Sequence, residues 1–138
     1  MRLLAVDFGS KRIGIAVGES NPRAISLRPI LTPAGALKKD AAAIVALATK
    51  EQAEVIVVGL PENPGGEDQQ MAKVCRMLAG HIEALGKAVA LVDESLTSVG
   101  AEDHLREMGL KASERRKLRD GEAAARILER YLDEVDHR

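Results

Sequence analysis

Tryptophan is absent from this chain, and Phe8 and Tyr131 are its only aromatic residues. No aromatic platform for stacking unpaired bases can be built from such a composition. The core must instead be packed from Ala, Val, Leu and Ile, which dominate a hydrophobic fraction of 46%. One cysteine, Cys75, excludes an intramolecular disulfide and fits a reduced, cytoplasmic protein. Long apolar runs are also lacking: AAAIVALA at 41–48 is too short to cross a bilayer. The opening MRLLAVDFGS is interrupted by Asp7, unlike a secretory leader. We therefore expect no membrane association. Nor is there an excess of charge of one sign, since 20 Lys and Arg face 21 Asp and Glu. Nothing pulls the whole molecule toward nucleic acid, so any such contact must be local. Positive charge gathers at Lys11 with Arg12, at Arg23 with Arg28, and at Arg115, Arg116 and Lys117. Taken alone, the last run reads as a solvated helix face.

A chain of 138 residues without a Gly-, Ser- or Pro-rich linker is expected to form a single domain over 1–138. Residues 2–7 are mostly apolar and end at Asp7, as in a strand buried on both faces. RIGIAVG at 12–18 follows a short Gly-Ser-Lys turn and signals a hairpin. A third, short strand is expected around 28–31, and Pro22, Pro29 and Pro33 beside it suggest a sheet edge. From Ala36 the period changes. Leu37, Ala41, Ile44, Val45, Leu47 and Ala48 recur at helical spacing. EVIVVG at 54–59 predicts a strand, a breaker-rich loop follows, and a helix is expected over 69–85. A last strand at 87–92 runs into Asp93 and Glu94, and helices are expected over 98–107 and from 114 to about 134. The order βββαβαβαα predicts an α/β fold with a mixed five-stranded sheet flanked by helices.

Three acidic positions fall where a buried element meets a loop or helix: Asp7, Asp93-Glu94, and Asp120. In parallel regions of α/β sheets, sites collect at such strand ends. A carboxylate in an apolar strand is costly to bury unless a cation or hydrogen bonds compensate it. Asp7 taken alone could equally cap the following turn. Three carboxylates brought together would hold Mg²⁺ or Mn²⁺, hard cations that take oxygen ligands and can activate a water against a phosphodiester. Zinc is disfavoured, because one cysteine and the scattered His81, His104 and His137 show no zinc-ligand spacing and read as surface residues. Gly9-Ser10-Lys11 offers amides, a hydroxyl and a cation to a phosphate, without P-loop spacing. The loop from Gly59 to Gly66 could present a helix N-terminus to an anion, or be an ordinary connection. Thr97 or Ser98 reads as a helix cap, and no histidine stands close by in sequence to activate Ser95 as a nucleophile.

In this order, AVDFGSKRIGIAV, VVGLPENPGG, VDESLTS and RDGEAAARILERYL resemble the YqgF/RuvX family, and the segments span nearly the whole chain. The resemblance implies a ribonuclease H-like fold related to Holliday-junction resolvases of the RuvC kind. It further implies a metal-dependent nuclease that matures the 5' end of pre-16S ribosomal RNA, or alternatively resolves branched DNA. Carried over position by position, the catalytic and metal-binding acids are Asp7, Glu94 and Asp120, with Asp93 as an auxiliary. Ser10, Lys11, Arg12, Arg115, Arg116 and Lys117 would contact nucleic acid, and resolvases of this kind act as homodimers. The chain departs from the family pattern at Ser95, where Arg is usual, at Ser98, where Thr is usual, and in the loop reading NPGG. Two readings from other classes stand beside the nuclease. One is a non-catalytic nucleic-acid- or ribosome-binding protein. The other is an actin-like phosphotransferase, suggested by the DFGSKRIGIAV strand pair and opposed by the length of the chain.

Overall fold

The computed structural model describes residues 1–61, 66–93 and 112–136, with side chains described outside 66–68 and 112–120. Within these, five strands and three helices follow one another: β1 (Arg2–Phe8), β2 (Ile13–Ser20), β3 (Arg23–Leu31), α1 (Leu37–Lys50), β4 (Val55–Leu60), α2 (Gly66–Ala84), β5 (Ala88–Asp93) and α3 (Ala112–Asp136). The sheet order is β3-β2-β1-β4-β5. β1 pairs antiparallel with β2 and parallel with β4, and β4 pairs parallel with β5. The α/β class and the mixed five-stranded sheet are as the sequence predicts. The helix expected over 98–107 falls outside the described residues.

β1 is the central strand, and Leu3, Leu4, Ala5 and Val6 are all fully buried. Side chains alternate between the faces of a strand, so β1 feeds two cores. Leu4, Val6 and Phe8 join Ile15, Val17, Ile56 and Val58 beneath Ala41, Ile44 and Ala48 of α1 and Cys75, Leu78 and Ile82 of α2. Leu3 and Ala5 join Ala16, Val57 and Val92 beneath Ala124, Ile127, Leu128 and Leu132 of α3. Each helix buries residues spaced by three or four, as an amphipathic helix on a sheet requires. Each large aliphatic side chain removed from water contributes about 1.5–3 kcal/mol. The lack of aromatics is thereby made good by number.

β3 is longer than the sequence suggests, beginning at Arg23 rather than near Arg28. Its first half reads weakly, because Ala24 and Ser26 are exposed. What holds it is the ladder to β2 from Ser20↔Arg23 to Ile15↔Arg28, together with Ile25 packed against the α3 core. At its end Arg23 donates to Asp133 and Asp136 of α3 at 2.7 and 2.6 Å. The edge position inferred from the prolines is as observed. The register shifts between Ile13 and Ile15, so that Gly14 faces Pro29 and Ile30 together, and Pro29 thus sits at a bulge, one of the places in a sheet where proline is tolerated.

Asp40 is the one buried charged residue among those described, 4% exposed, and it drew no attention in the sequence. Its carboxylate accepts from the Ala34 amide at 2.7 Å and so fixes the turn that leads into α1. Near the opposite end of α1, Glu51 accepts from Arg28 at 3.1 Å and from Arg2 at 3.2 Å. Arg2 also donates to Glu19 at 2.8 Å. This network ties three strands to the helix terminus.

Candidate active site at the carboxyl ends of the central strands

Asp7 is the penultimate residue of β1, half-buried, and engaged in an interaction with its surroundings. By alternation it shares the face of Leu3 and Ala5, the face covered by α3. Its antiparallel partner is Gly14. One step beyond the last β1–β4 pair, Val6↔Val58, the residue beside it on β4 is Gly59. Both lateral neighbours of Asp7 therefore lack side chains. Gly14 was not singled out in the sequence, and Gly59, read there as the start of the loop to Gly66, lies inside β4; the signal that could have found both is a glycine within a strongly apolar strand, where glycine is otherwise unfavourable.

The turn beyond Asp7 is closed by the Gly9 amide donating to the Arg12 carbonyl at 2.9 Å. A Cβ added at Gly9 would meet that same carbonyl oxygen at 2.9 Å, so the tightness of the turn demands glycine. The turn holds Ser10 and Lys11 exposed, with Arg12 half-buried and engaged. A polar and cationic rim thus stands next to Asp7 on the same hairpin.

The run of α3 can be followed from two contacts. Leu128 lies against Gly18, where an added Cβ would stand 2.6 Å from its Cδ2. Gly121 lies over Leu27, where an added Cβ would stand 3.6 Å from either of its δ-carbons. Gly18 pairs with Leu3, whereas Leu27 pairs with Ala16 and through it with Ala5. Going toward its N-terminus, α3 therefore climbs β1 from the Leu3 row to the Ala5 row, in the direction of Asp7. Position 120 continues that climb, one turn before Ala124 and two before Leu128, both fully buried. Positions 115–117 lie further along the same helix. β5 ends at Asp93, in register with Leu60, so the carboxyl ends of β1, β4 and β5 share one edge of the sheet. Val92 faces the α3 core while Val89 packs on the other, and alternation puts Asp93 on the side away from Asp7.

Glu94 and the side chains of Asp120, Arg115, Arg116 and Lys117 lie outside the described residues, as do Ser95, Thr97, Ser98, His104, His137 and the loop 62–65. Among the described residues no three His, Cys, Asp or Glu converge. His81 is half-buried on α2, beside Lys38, Ala84 and Leu85 around a cavity of about 190 Å³, and joins no ligand group among the described residues. No described helix is long and apolar enough to cross a membrane.

Residues 1–134 match the model of the RuvX family, described as Holliday junction resolvase. The chain belongs to the RuvX family. Relatives at this length share much of the sequence. A protein of Anaeromyxobacter dehalogenans strain 2CP-1 is 42% identical over 137 residues, covering 96% of this chain and 97% of its own. One of Methylobacillus flagellatus is 36% identical over 132 residues, covering 95% and 90%. Both bear the name "Putative pre-16S rRNA nuclease". The RuvX chain also shares its fold with solved resolvases. RuvC of T. thermophilus, solved with a Holliday junction substrate, superposes with a TM-score of 0.57 at 17% identity, over 95% of this chain and 94% of RuvC. The yeast mitochondrial Holliday junction resolvase gives 0.53 at 10% identity, over 98% and 80%.

Proposed function

We propose that this RuvX protein is a hydrolase that cuts nucleic-acid phosphodiesters, with the 5' end of precursor 16S ribosomal RNA as its substrate. The observation that carries this reading is Asp7, set at the carboxyl end of the central strand, beneath α3 and beside a cationic turn. The names of its relatives support the substrate.

Asp7, Glu94 and Asp120 would be the catalytic acids and hold Mg²⁺ or Mn²⁺, all three being the hard oxygen donors such ions take. Asp7 fits this role in donor type and in place, as a partly exposed carboxylate at the carboxyl end of the central strand. A bound ion of this class would polarise the scissile phosphate and ease the deprotonation of the attacking water. The chain's own part is to fix the donors on a rigid sheet and helix, and to hold the negative backbone. Ser10, Lys11 and Arg12 would do so from the hairpin, and Arg115, Arg116 and Lys117 from α3. Such contacts orient a strand without reading its sequence. Local cationic groups are what a chain of net charge −1 has available for this purpose. A branched DNA is the second substrate reading, favoured by the fold shared with RuvC. A homodimer would suit it, since a four-way junction offers two symmetric cuts.

The test incubates wild-type protein and Asp7→Asn with labelled single-stranded RNA, precursor ribosomal RNA and four-way DNA junctions, in Mn²⁺, Mg²⁺ or EDTA. Cleavage by the wild type that EDTA abolishes is expected. Asp7→Asn should lower the rate at least about a hundredfold, because the ion's contribution is several kcal/mol, with an unchanged melting temperature. Equal cleavage by Asp7→Asn would remove Asp7 from the site. Binding without cleavage would replace the nuclease by a non-catalytic ribosome- or nucleic-acid-binding protein.

A further inference from the structure

On the face of the sheet away from Asp7, a cavity of about 190 Å³ is lined by Lys38 in the first turn of α1 and by His81, Ala84 and Leu85 around the end of α2. Its mouth is open. Leu85 is 51% exposed, and a Cβ added at Gly80 or Gly86 on either side would meet no atom within 4 Å. Neither Lys38 nor His81 forms a hydrogen bond or ion pair among the described residues. Ala36 gives α1 no side-chain cap, and Asp40, the acid of that first turn, commits its buried carboxylate to the Ala34 amide. The opening turn therefore keeps free amides, which favour an anion. The layer around the cavity is basic as well. The described side chains of α1 and α2 expose Lys38, Lys39, Lys50, Lys73 and Arg76 against the single carboxylate Glu83, whereas α3 from Gly121 onward carries more acids than bases. In a chain of net charge −1 the positive potential is thus concentrated on the cavity's side of the sheet.

The competing account is a mere gap left where the small Ala84 separates two helix ends. The chemistry of the walls argues for an occupant, and for one of two parts. Inorganic phosphate would answer Lys38 and leave the leucine wall wet, while a purely apolar body would cover Leu85 and leave the cation unanswered. Lysine meets phosphate as a compact point charge, an imidazole ring stacks on a flat ring, and an exposed leucine gains from being covered. The volume is below the roughly 300–1,000 Å³ of drug-sized sites, which leaves room for one ring rather than several. From this geometry we infer that the cavity binds one nucleotide unit, its ring against His81 and Leu85 and its phosphate at Lys38 and the start of α1. A free mononucleotide and the phosphate-bearing end of a polynucleotide both present this chemistry. Binding here depends neither on Asp7 nor on cleavage.

The full-length protein is titrated with AMP, adenosine, inorganic phosphate and an oligoadenylate bearing a terminal phosphate, in EDTA, while amide and imidazole resonances are followed by NMR. AMP should move the His81 ring and the Lys38 and Lys39 amides, with adenosine and phosphate at least about tenfold weaker, since each offers only half of the contacts. Lys38→Gln should weaken AMP about tenfold, the usual loss for one charge-assisted contact. Leu85→Glu, which sets a carboxylate at the mouth, should weaken it further. Both changes are at exposed positions and should leave the melting temperature as in the wild type, and Asp7→Asn should bind AMP as the wild type does. Oligoadenylate binding more tightly than AMP assigns the site to a polynucleotide end, and equal affinity assigns it to the free nucleotide. Phosphate binding as tightly as AMP reveals an adventitious ion only and overturns the inference. So does AMP that leaves His81 and Lys38 unmoved, that moves only the turn from Gly9 to Arg12, or that binds both variants unchanged, and each of these results leaves the nuclease reading standing.

Discussion

Toward α1 and α2 the sheet presents large branched side chains such as Leu4, Val6, Ile15, Ile56 and Val58, whereas toward α3 the same strands present Ala5, Asp7, Gly14, Ala16 and Gly18. The first face is held by bulk, each side chain filling its own volume between sheet and helices. The second is held by close approach, a helix carrying Ala123, Ala124 and Ala125 lowered onto small residues. The difference teaches where a site can be built. On the α3 face the central strand ends in Asp7 with Gly14 and Gly59 beside it, whereas the bulky face carries its carboxylate, Asp93, only at the end of β5.

The largest expected effect on stability tests the first face. Ile56→Ala removes a fully buried side chain, and should cost about 2–5 kcal/mol in urea unfolding while the folded fraction keeps its cleavage rate. A cost below about 1 kcal/mol would mean that this face collapses around the gap. The second face should instead resist addition. Gly18→Ala puts a Cβ 2.6 Å from Leu128 Cδ2 and 2.9 Å from the Ala24 carbonyl oxygen, and should cost about 1–3 kcal/mol through forced displacement. Adding Leu128→Ala should make the pair less costly than the sum of the single changes, by about 0.5–3 kcal/mol in a double-mutant cycle. Strict additivity would deny that helix approach is what Gly18 serves.

The smallest effect lies at the network that joins the sheet to the end of α1. Hydrogen bonding from Arg28, then its charge and the bonds and charge of Arg2, hold the Glu51 carboxyl below the usual carboxylate range, against the opposing effect of burial. A carboxyl whose pKa is lowered on folding stabilises the protein above its unfolded value, near 4.3 for glutamate. That contribution is lost as the pH falls through the lowered value. Unfolding free energy measured from pH 6 down to pH 3 should therefore fall more steeply for the wild type than for Glu51→Gln. Parallel curves would show that the pairing adds nothing, as is common for exposed ion pairs.

The strands and helices were legible where periodicity was strong, as in AVDF, EVIVVG and the apolar positions of α1. They were illegible where support comes from elsewhere in the chain, as in the first half of β3, which is held by β2 and α3. Asp40 went unread for the same reason, since its partner is a backbone amide six residues away. Of the candidate site, Asp7 stood out in the sequence because it interrupts an apolar strand. Gly14 and Gly59 did not, because a glycine gains meaning only from its neighbour across the ladder.

The sequence alone determined the class of fold, through hydrophobic periods of two and near 3.6, and it determined the family, through four segments spread over the chain. Only the tertiary structure decided that Asp7, and not Asp93, faces α3, and that position 120 climbs toward Asp7 along that helix. Those decisions belong to strand register and helix placement, which set residues far apart in sequence side by side and which no local pattern encodes.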